Sequence, residues 1–551
     1  KPFSYMVPFQ RFALRDLVYT YTGKIVHEVN STPLSEVLPK GFMATRAGKR
    51  SMNWRADKAA SLYFVQALDN GDPDVKVPHR DELYSWDAPF SGEPVALIKL
   101  QQRFASVNWG SKDLAVVSDY WWNTRNSKTY VFNPSNSSIK PRILWDRNYD
   151  DKYADPGEPQ MRKNDFGAYV MEMQGSEVFL FGEGFTPEGQ FPFIDRLNLS
   201  TGLSKRIYRS TFTNKLESFQ SFINLKTGEV LVRIESATEY PNYFIRNINQ
   251  KGKALPRKIT DFKNPFLALE KVHKEVIKYQ REDGIELSGT LYLPAGYDLN
   301  KKEKLPMIMW AYPKEYKDKS SAGQTTSNPN QFTFPSYGSP IYWVTRGYAV
   351  LDNAAFPIIG EGDEQPNDSF VEQLVANAKA AIDAVDALGY IDRKRVGVGG
   401  HSYGAFMTAN LLAHAPGLFS AGIARSGAYN RTLTPFGFQS ERRTYWEAQE
   451  IYHRLSPFTY ADKITDPILL IHGAADNNPG THTQQSERFY QALAAHGATV
   501  KLVLLPHESH GYRAAESILH TLAEMLDWAN TWSDQRLADR KWSPVRGKVK
   551  P

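Results

Sequence analysis

The sequence predicts two domains of different class: an all-β domain assembled from repeated strand units, then an α/β domain whose mostly parallel sheet is flanked by helices. Three observations predict this. Up to about residue 270, short β-rich runs are broken by Asn, Asp, Gly and Pro. After about residue 275, apolar strands alternate with long helical patterns. The 551 residues also exceed one ordinary domain, for which roughly 150 residues is the prior. The period changes within LALEKVHKEVIKYQREDG, residues 267–284, so the domains are set at 1–270 and 271–551.

In the first half, strand runs recur as SLYFVQALD (61–69), DLAVVSDYWW (113–122), EVFLFGEGF (177–185) and EVLVRIESA (229–237). Their starts are 52, 64 and 52 residues apart, and each run precedes a further strand such as KTYVFNP. Units of about 50 to 60 residues holding several strands suit the blades of a β-propeller with long loops. The related phrases MNWRADKAA (52–60) and VNWGSKDLA (107–115) support repetition, with a β-sandwich of coincidental spacing as the alternative. About four blades fit before residue 270, and RDLVYTYTGKIVHEV (15–29) reads as the outer hairpin of an additional, incomplete one. The propeller is therefore expected to be partial, or completed by residues absent from this chain.

In the second half, apolar strands are expected at 305–312, 348–354, 395–400, 420–427, 466–473 and 500–506. Helices are expected at about 368–388, 404–415, 482–496 and 514–532.

Composition narrows the function classes. Apolar residues make up 41% and charged residues 23%, and no stretch approaches the ~18 uninterrupted apolar residues of a membrane span. The net charge of +6 has no Lys/Arg run behind it, so nucleic acid is not the expected partner, while acidic ligands would be favoured. The absence of cysteine excludes disulfides, thiolate nucleophiles and cysteine metal sites. The amino terminus has no Met and no signal-peptide pattern, which suggests a processed or trimmed product.

The chemistry centres on Gly400-His401-Ser402-Tyr403-Gly404, a G-x-S-x-G pattern between the strand RVGVGG and the helix AFMTANLLAHA. In that context the serine occupies a tight strand-to-helix turn, and its flanking glycines avoid clashes. A hydroxyl needs a histidine to take its proton and a carboxylate to hold that histidine. Asp476 follows the strand DPILLIHG and His510 follows VKLVLLP, in the order Ser, Asp, His of α/β-hydrolases. His507 is the nearest rival but sits closer to its strand, His472 reads as a buried structural residue, and His401 faces the sheet. Asp462 and Asp466 precede their strand, at the wrong end of the sheet. The Tyr403 backbone N–H is the expected first oxyanion donor. The second should come from MWAYPKEYKDK, which has no glycine pair.

The set GHSYGAFM, LLIHGAADNN with QSERFYQAL, and LPHESHGY resembles the prolyl oligopeptidase family of serine peptidases. More narrowly, MNWRADKAASLYFVQALDNGDP, MWAYPKEYKDK and SGAYNRTLTPFGFQSERRTYWEA resemble its glutamyl endopeptidase branch, known from chloroplasts and bacteria. The resemblance implies a β-propeller over an α/β-hydrolase domain, cleavage after glutamate in peptides or partly unfolded chains, an acyl-enzyme, and no metal or organic cofactor. It carries the triad onto Ser402, Asp476 and His510. It puts Trp310 at the place where dipeptidyl peptidases have an oxyanion Tyr, with Tyr312 two residues on as the other side-chain candidate and a loop N–H as a third. Members of the branch have a longer amino-terminal part, so missing blades would lie upstream of Lys1, and a separate or cleaved fragment could complete the toroid. The propeller half shows no acidic pair of the kind that captures a free amino terminus, which favours an endopeptidase.

The pocket for the residue before the scissile bond (P1) is expected in YNRTLTPFGFQSERR, where a buried glutamate would need a bidentate partner. Arg431 is the first choice and Arg443 the second, Arg442 being read as a surface residue, and Asn478 is expected to contact substrate main chain. An esterase or acylaminoacyl-type peptidase of the same fold would need an apolar pocket instead. An inert interaction protein would tend to lack a triad member, and none is missing. Whether identical chains assemble stays open, and so does localisation among bacterial periplasm, secretion and plastid stroma.

Overall fold

The computed structural model describes residues 3–4, 7, 9–250 and 255–533. They pack as two compact units. One comprises the described residues up to Thr213 with Glu217–Ile234 and Tyr243–Thr260; the other comprises Asn214–Leu216, Glu235–Asn242 and the described residues from Asp261 onward.

The first unit is built from antiparallel sheets that follow one another along the chain. The first sheet holds Lys49–Trp54, Ser61–Ala67, Asp81–Asp87 and Val95–Leu100, and the second Arg103–Ser111, Leu114–Trp121, Asn126–Phe132 and Arg142–Asn148. The third is organised around Glu177–Gly182, Phe193–Asn198 and Ser204–Arg209, and the fourth starts with Leu216–Asn224 and Glu229–Glu235. The four apolar runs read from the sequence are inner strands; the first three are buried on both faces, while in Glu229–Glu235 Val230, Val232 and Ile234 bury one face. Val117 packs with Val65, Leu83 and Leu100 of the preceding sheet, whereas its neighbour Val116 packs with Val178, Leu180 and Leu197 of the following one. That is the two-residue period of a strand serving two interfaces at once. Ile194 meets Val230 and Val232 in the same way, and Val29 of the hairpin Leu14–Tyr19/Ile25–Thr32 packs on Leu62 and Phe64. Successive sheets packed face to face are blades of a propeller-type domain.

The second unit is an α/β-hydrolase domain. Its strands are β1 (His273–Gln280), β2 (Glu286–Leu293), β3 (Leu305–Ala311), β4 (Ala349–Ala354), β5 (Ile391–His401), β6 (Ala421–Arg425), β7 (Ile468–Gly473) and β8 (Val500–Leu505). They form one sheet in the order β1-β2-β4-β3-β5-β6-β7-β8, in which β1, β2 and β4 pair antiparallel and all later pairs are parallel. The flanking helices are α1 (Phe370–Leu388), α2 (Tyr403–His414), α3 (Gln484–Ala495) and α4 (Ala515–Trp532). Strand alternation again sorts the core. Met307 and Met309 pack with Phe370, Leu374 and Phe406 on one face, and Ile308 and Trp310 pack with Met525 and Trp528 on the other. The parallel strands all point their carboxyl ends the same way, and in such sheets ligands sit beyond those ends.

Candidate active site

Ser402 joins β5 to α2 with φ +58° and ψ −114°, a backbone conformation that L residues rarely adopt. Its neighbours make this possible. A Cβ on Gly400 would lie 2.4 Å from the Gly404 backbone, and one on Gly404 would lie 2.6 Å from the Ala311 carbonyl oxygen. The turn is anchored by the Ser402 N–H, which donates to the Arg425 carbonyl at 2.8 Å.

Three loops bring the expected triad together. His510 Nε2 stands 3.0 Å from Ser402 Oγ, and His510 Nδ1 stands 2.9 Å from Asp476 Oδ2. His507 is exposed on a turn with φ +62°, while Asp466 binds the Gly417 N–H at the far end of the sheet. The Asp476 carboxylate is buried and fully engaged. Oδ1 accepts the Asn478 N–H at 2.9 Å, and Oδ2 accepts the Thr481 hydroxyl at 3.2 Å. Burial alone would raise its pKa, but hydrogen bonds from His472, His510 and Asn478 outweigh this and hold it well below the usual carboxylate range. His401, whose ring lies 4.9 Å from that of His510, is driven down to about 3 by burial and by the neighbouring Arg425 guanidinium. It therefore stays neutral.

Tyr403 opens α2, where an N–H has no intrahelical partner and is available to an oxyanion. Its ring is locked beneath the turn: the hydroxyl donates to Glu315 Oε1 at 2.6 Å in a buried contact. Sequence reasoning missed Glu315, which lies 88 residues away, and no local pattern signals it. Tyr312 is 55% exposed and packs edge-to-face on Tyr403 with centroids 5.8 Å apart, so its phenol borders the elbow. A cavity of about 660 Å³ opens beside it, lined among others by Lys274, Tyr292, Lys314, Phe332 and Asp352.

Three expectations need correction. Trp310 is 8% exposed and committed to the core, beside Trp343 and under the Arg425 guanidinium, because its position on β3 points it to the face that α4 covers. It does not line the cleft. Arg443 is engaged by Glu441, at 2.8 and 2.7 Å, and by Asp368 at 2.7 Å, so its fork is already filled. Arg431 is 3% exposed, its guanidinium held between Phe406 at 4.1 Å and Phe438 at 4.5 Å. Burial lowers its pKa to about 10, against the attraction of Tyr403 and Glu315. It supports the elbow from below instead of facing an open pocket. The Asn478 amide oxygen accepts the Gly480 N–H at 3.0 Å, so part of its side chain serves the loop. Among the described residues no cluster of three or more His, Cys, Asp or Glu is placed to hold a metal ion.

A seamless strand, tight turn and helix with Ser, His and Asp at the carboxyl edge of an eight-stranded sheet is the arrangement of acyl-transfer hydrolases. Residues 364–536 match the family model described as the prolyl oligopeptidase family. Residues 283–433 also match the X-Pro dipeptidyl-peptidase (S15 family) model. Two curated relatives described as "Probable glutamyl endopeptidase, chloroplastic" align along nearly all of the chain. The one from Oryza sativa subsp. japonica is 47% identical over 543 residues, 96% of this chain and 58% of the relative; the one from Arabidopsis thaliana is 45% identical over 564 residues, 100% and 58%. The chain thus spans somewhat over half the length of these relatives. Among solved structures, the Pyrococcus horikoshii acylaminoacyl peptidase has a TM-score of 0.60 at 17% identity, covering 97% of this chain and 76% of that one. A Mycobacterium tuberculosis puromycin-hydrolyzing peptidase scores 0.59 at 16% identity, covering 89% and 70%. These likenesses concern the fold.

Proposed function

We propose that this chain is a serine endopeptidase that hydrolyses oligopeptides or partly unfolded chains after glutamate, through an acyl-enzyme on Ser402. The observation that carries the proposal is the unbroken contact Ser402 Oγ to His510 to Asp476, at 3.0 and 2.9 Å. Its glutamyl preference is supported by the two relatives of 47% and 45% identity. In this proposal residues 1–270 form the propeller and 271–551 the catalytic domain.

In acylation, Ser402 Oγ bonds to the scissile carbonyl carbon while its proton passes to His510 Nε2. The carbonyl oxygen becomes an oxyanion facing the Tyr403 N–H, with the Tyr312 phenol as second donor. His510 then gives the proton to the leaving amine as the C–N bond breaks. In deacylation, His510 takes a proton from water, whose oxygen attacks the ester, and returns it to Ser402. Asp476 stays ionised throughout and stabilises the imidazolium.

A second hypothesis, an acylaminoacyl-type peptidase, draws support from the enclosure of Arg431 and the engagement of Arg443, and from an acylaminoacyl peptidase among the fold neighbours. A panel of peptides differing only at P1 separates the two. Under the glutamyl proposal kcat/KM for Glu exceeds that for Gln and Leu by at least about tenfold, the yield of one charged hydrogen bond. Equal cleavage of Glu and Leu, or faster cleavage of acetylated short peptides, would favour the second.

A further inference from the structure

The triad aspartate is touched by a second histidine. His472 is fully buried near the end of β7, four residues before Asp476. Its Nε2 lies 2.7 Å from the Thr481 carbonyl and 3.0 Å from Asp476 Oδ2, and its Nδ1 lies 2.6 Å from Ser486 Oγ on α3. A carbonyl can only accept, so Nε2 must carry a hydrogen, which it shares between the carbonyl and the carboxylate. In the Nε2–H tautomer, Nδ1 is free to accept the Ser486 hydroxyl. Asp476 Oδ2 consequently receives His472 from one side and His510 from the other, with Thr481 Oγ1 both donating to Oδ2 at 3.2 Å and standing 3.0 Å from His510 Nδ1.

We propose that His472 is a positioning residue of the triad: a Ser486-locked neutral imidazole that pins Asp476 Oδ2 and shares its charge, and so sets both the aim and the strength of the Asp476 contact to His510. This goes beyond a packing role. The loop from Asp476 to Thr481 crosses the site without a helix or strand of its own, and His472 ties both of its ends, the carboxylate and the Thr481 carbonyl, to a fully paired strand. A carboxylate that loses one donor holds the remaining imidazolium more tightly. The other charged and titratable groups facing this region include His510, His482 beside the Asp476 carbonyl, His401 on β5, Arg425 on β6, the Tyr512 phenol and the buried Tyr429 phenol, which also meets Ser486; the contact at His472 Nδ1 is Ser486.

The inference rests on the acyl-transfer role of Ser402 but not on glutamyl preference, so its test uses a fluorophosphonate probe. Ser402 Oγ bonds to phosphorus, fluoride leaves, and the hydroxyl proton passes to His510. The second-order labelling rate is followed against pH for wild type, His472→Leu, His472→Gln and Ser486→Ala, with Ser402→Ala as the control for the serine itself. His472→Leu should label about 10 to 100 times more slowly, the worth of one charged hydrogen bond, with its acid limb moved to higher pH by about half a unit or more. His472→Gln, which keeps an N–H donor, should recover most of the rate and restore the limb, and Ser486→Ala should fall between. A rate loss with an unmoved limb, or Gln no better than Leu, would overturn the proposal. Histidine 15N shifts of the wild-type enzyme decide it independently of any variant's folding. His472 must appear protonated on Nε2 alone, and protonation on Nδ1 contradicts it. Absence of wild-type labelling would instead remove the acyl-transfer role, leaving the tautomer measurement to stand by itself.

Discussion

Ser402 holds its strained backbone because nothing larger than hydrogen fits at Gly400 and Gly404. Gly404→Ala should therefore push the helix start away from the Ala311 carbonyl, costing about 1–3 kcal/mol in urea denaturation and at least tenfold in kcat. The arginines make a contrasting case. Arg431→Met should lower cleavage of Glu and Leu peptides alike, because the guanidinium braces Phe406 and Phe438 under the elbow. A loss confined to Glu peptides would restore it as a substrate ligand. Arg443→Met leaves Glu441, 1% exposed, without its ion partner and should cost about 3 kcal/mol of stability. The proposed triad of Ser402, His510 and Asp476 could be picked out at this scale because each member follows a strand, and strands announce themselves by apolar runs. The roles of Trp310, Arg431 and Arg443 were not, because which side of a strand a residue faces and which distant carboxylate it meets depend on register and packing.

At the scale of elements, the inner blade strands were readable to within three residues and the four flanking helices to within two, since their burial imposes periods of 2 and 3.6. β1 was not. It lies in HKEVIKYQ, inside the stretch read as a boundary, because an edge strand tolerates charge on both faces: Lys274 and Lys278 flank Val276 on one, and Glu275 precedes Ile277 and Tyr279 on the other. Short strands such as Arg257–Lys258 have too few residues to show a period. The blade interfaces can be probed directly: Leu83 is 0% exposed and shared between two sheets, so Leu83→Ala should cost about 3 kcal/mol with Ser402 labelling at saturating probe unchanged.

For the molecule as a whole, the linkage between charge and folding has a definite sign. His401 has a folded pKa of about 3, below its unfolded value, so the unfolded chain binds the proton first as pH falls. Stability should decline from about pH 6.5 downward, by up to about 3 kcal/mol at pH 4, and His401→Asn should flatten that decline. Because His401 remains neutral, the acid limb of kcat/KM should follow a single proton with a limiting slope of one; a slope of two would mean that His401 also takes up a proton. Two domain classes and the triad follow from strand order and spacing along one chain, whereas the substrate pocket depends on side chains that meet only after folding. The central claim is that Ser402 is the nucleophile of peptide hydrolysis. Turnover of a glutamyl peptide by Ser402→Ala tests it: kcat should fall by about a millionfold, and turnover equal to wild type would contradict it.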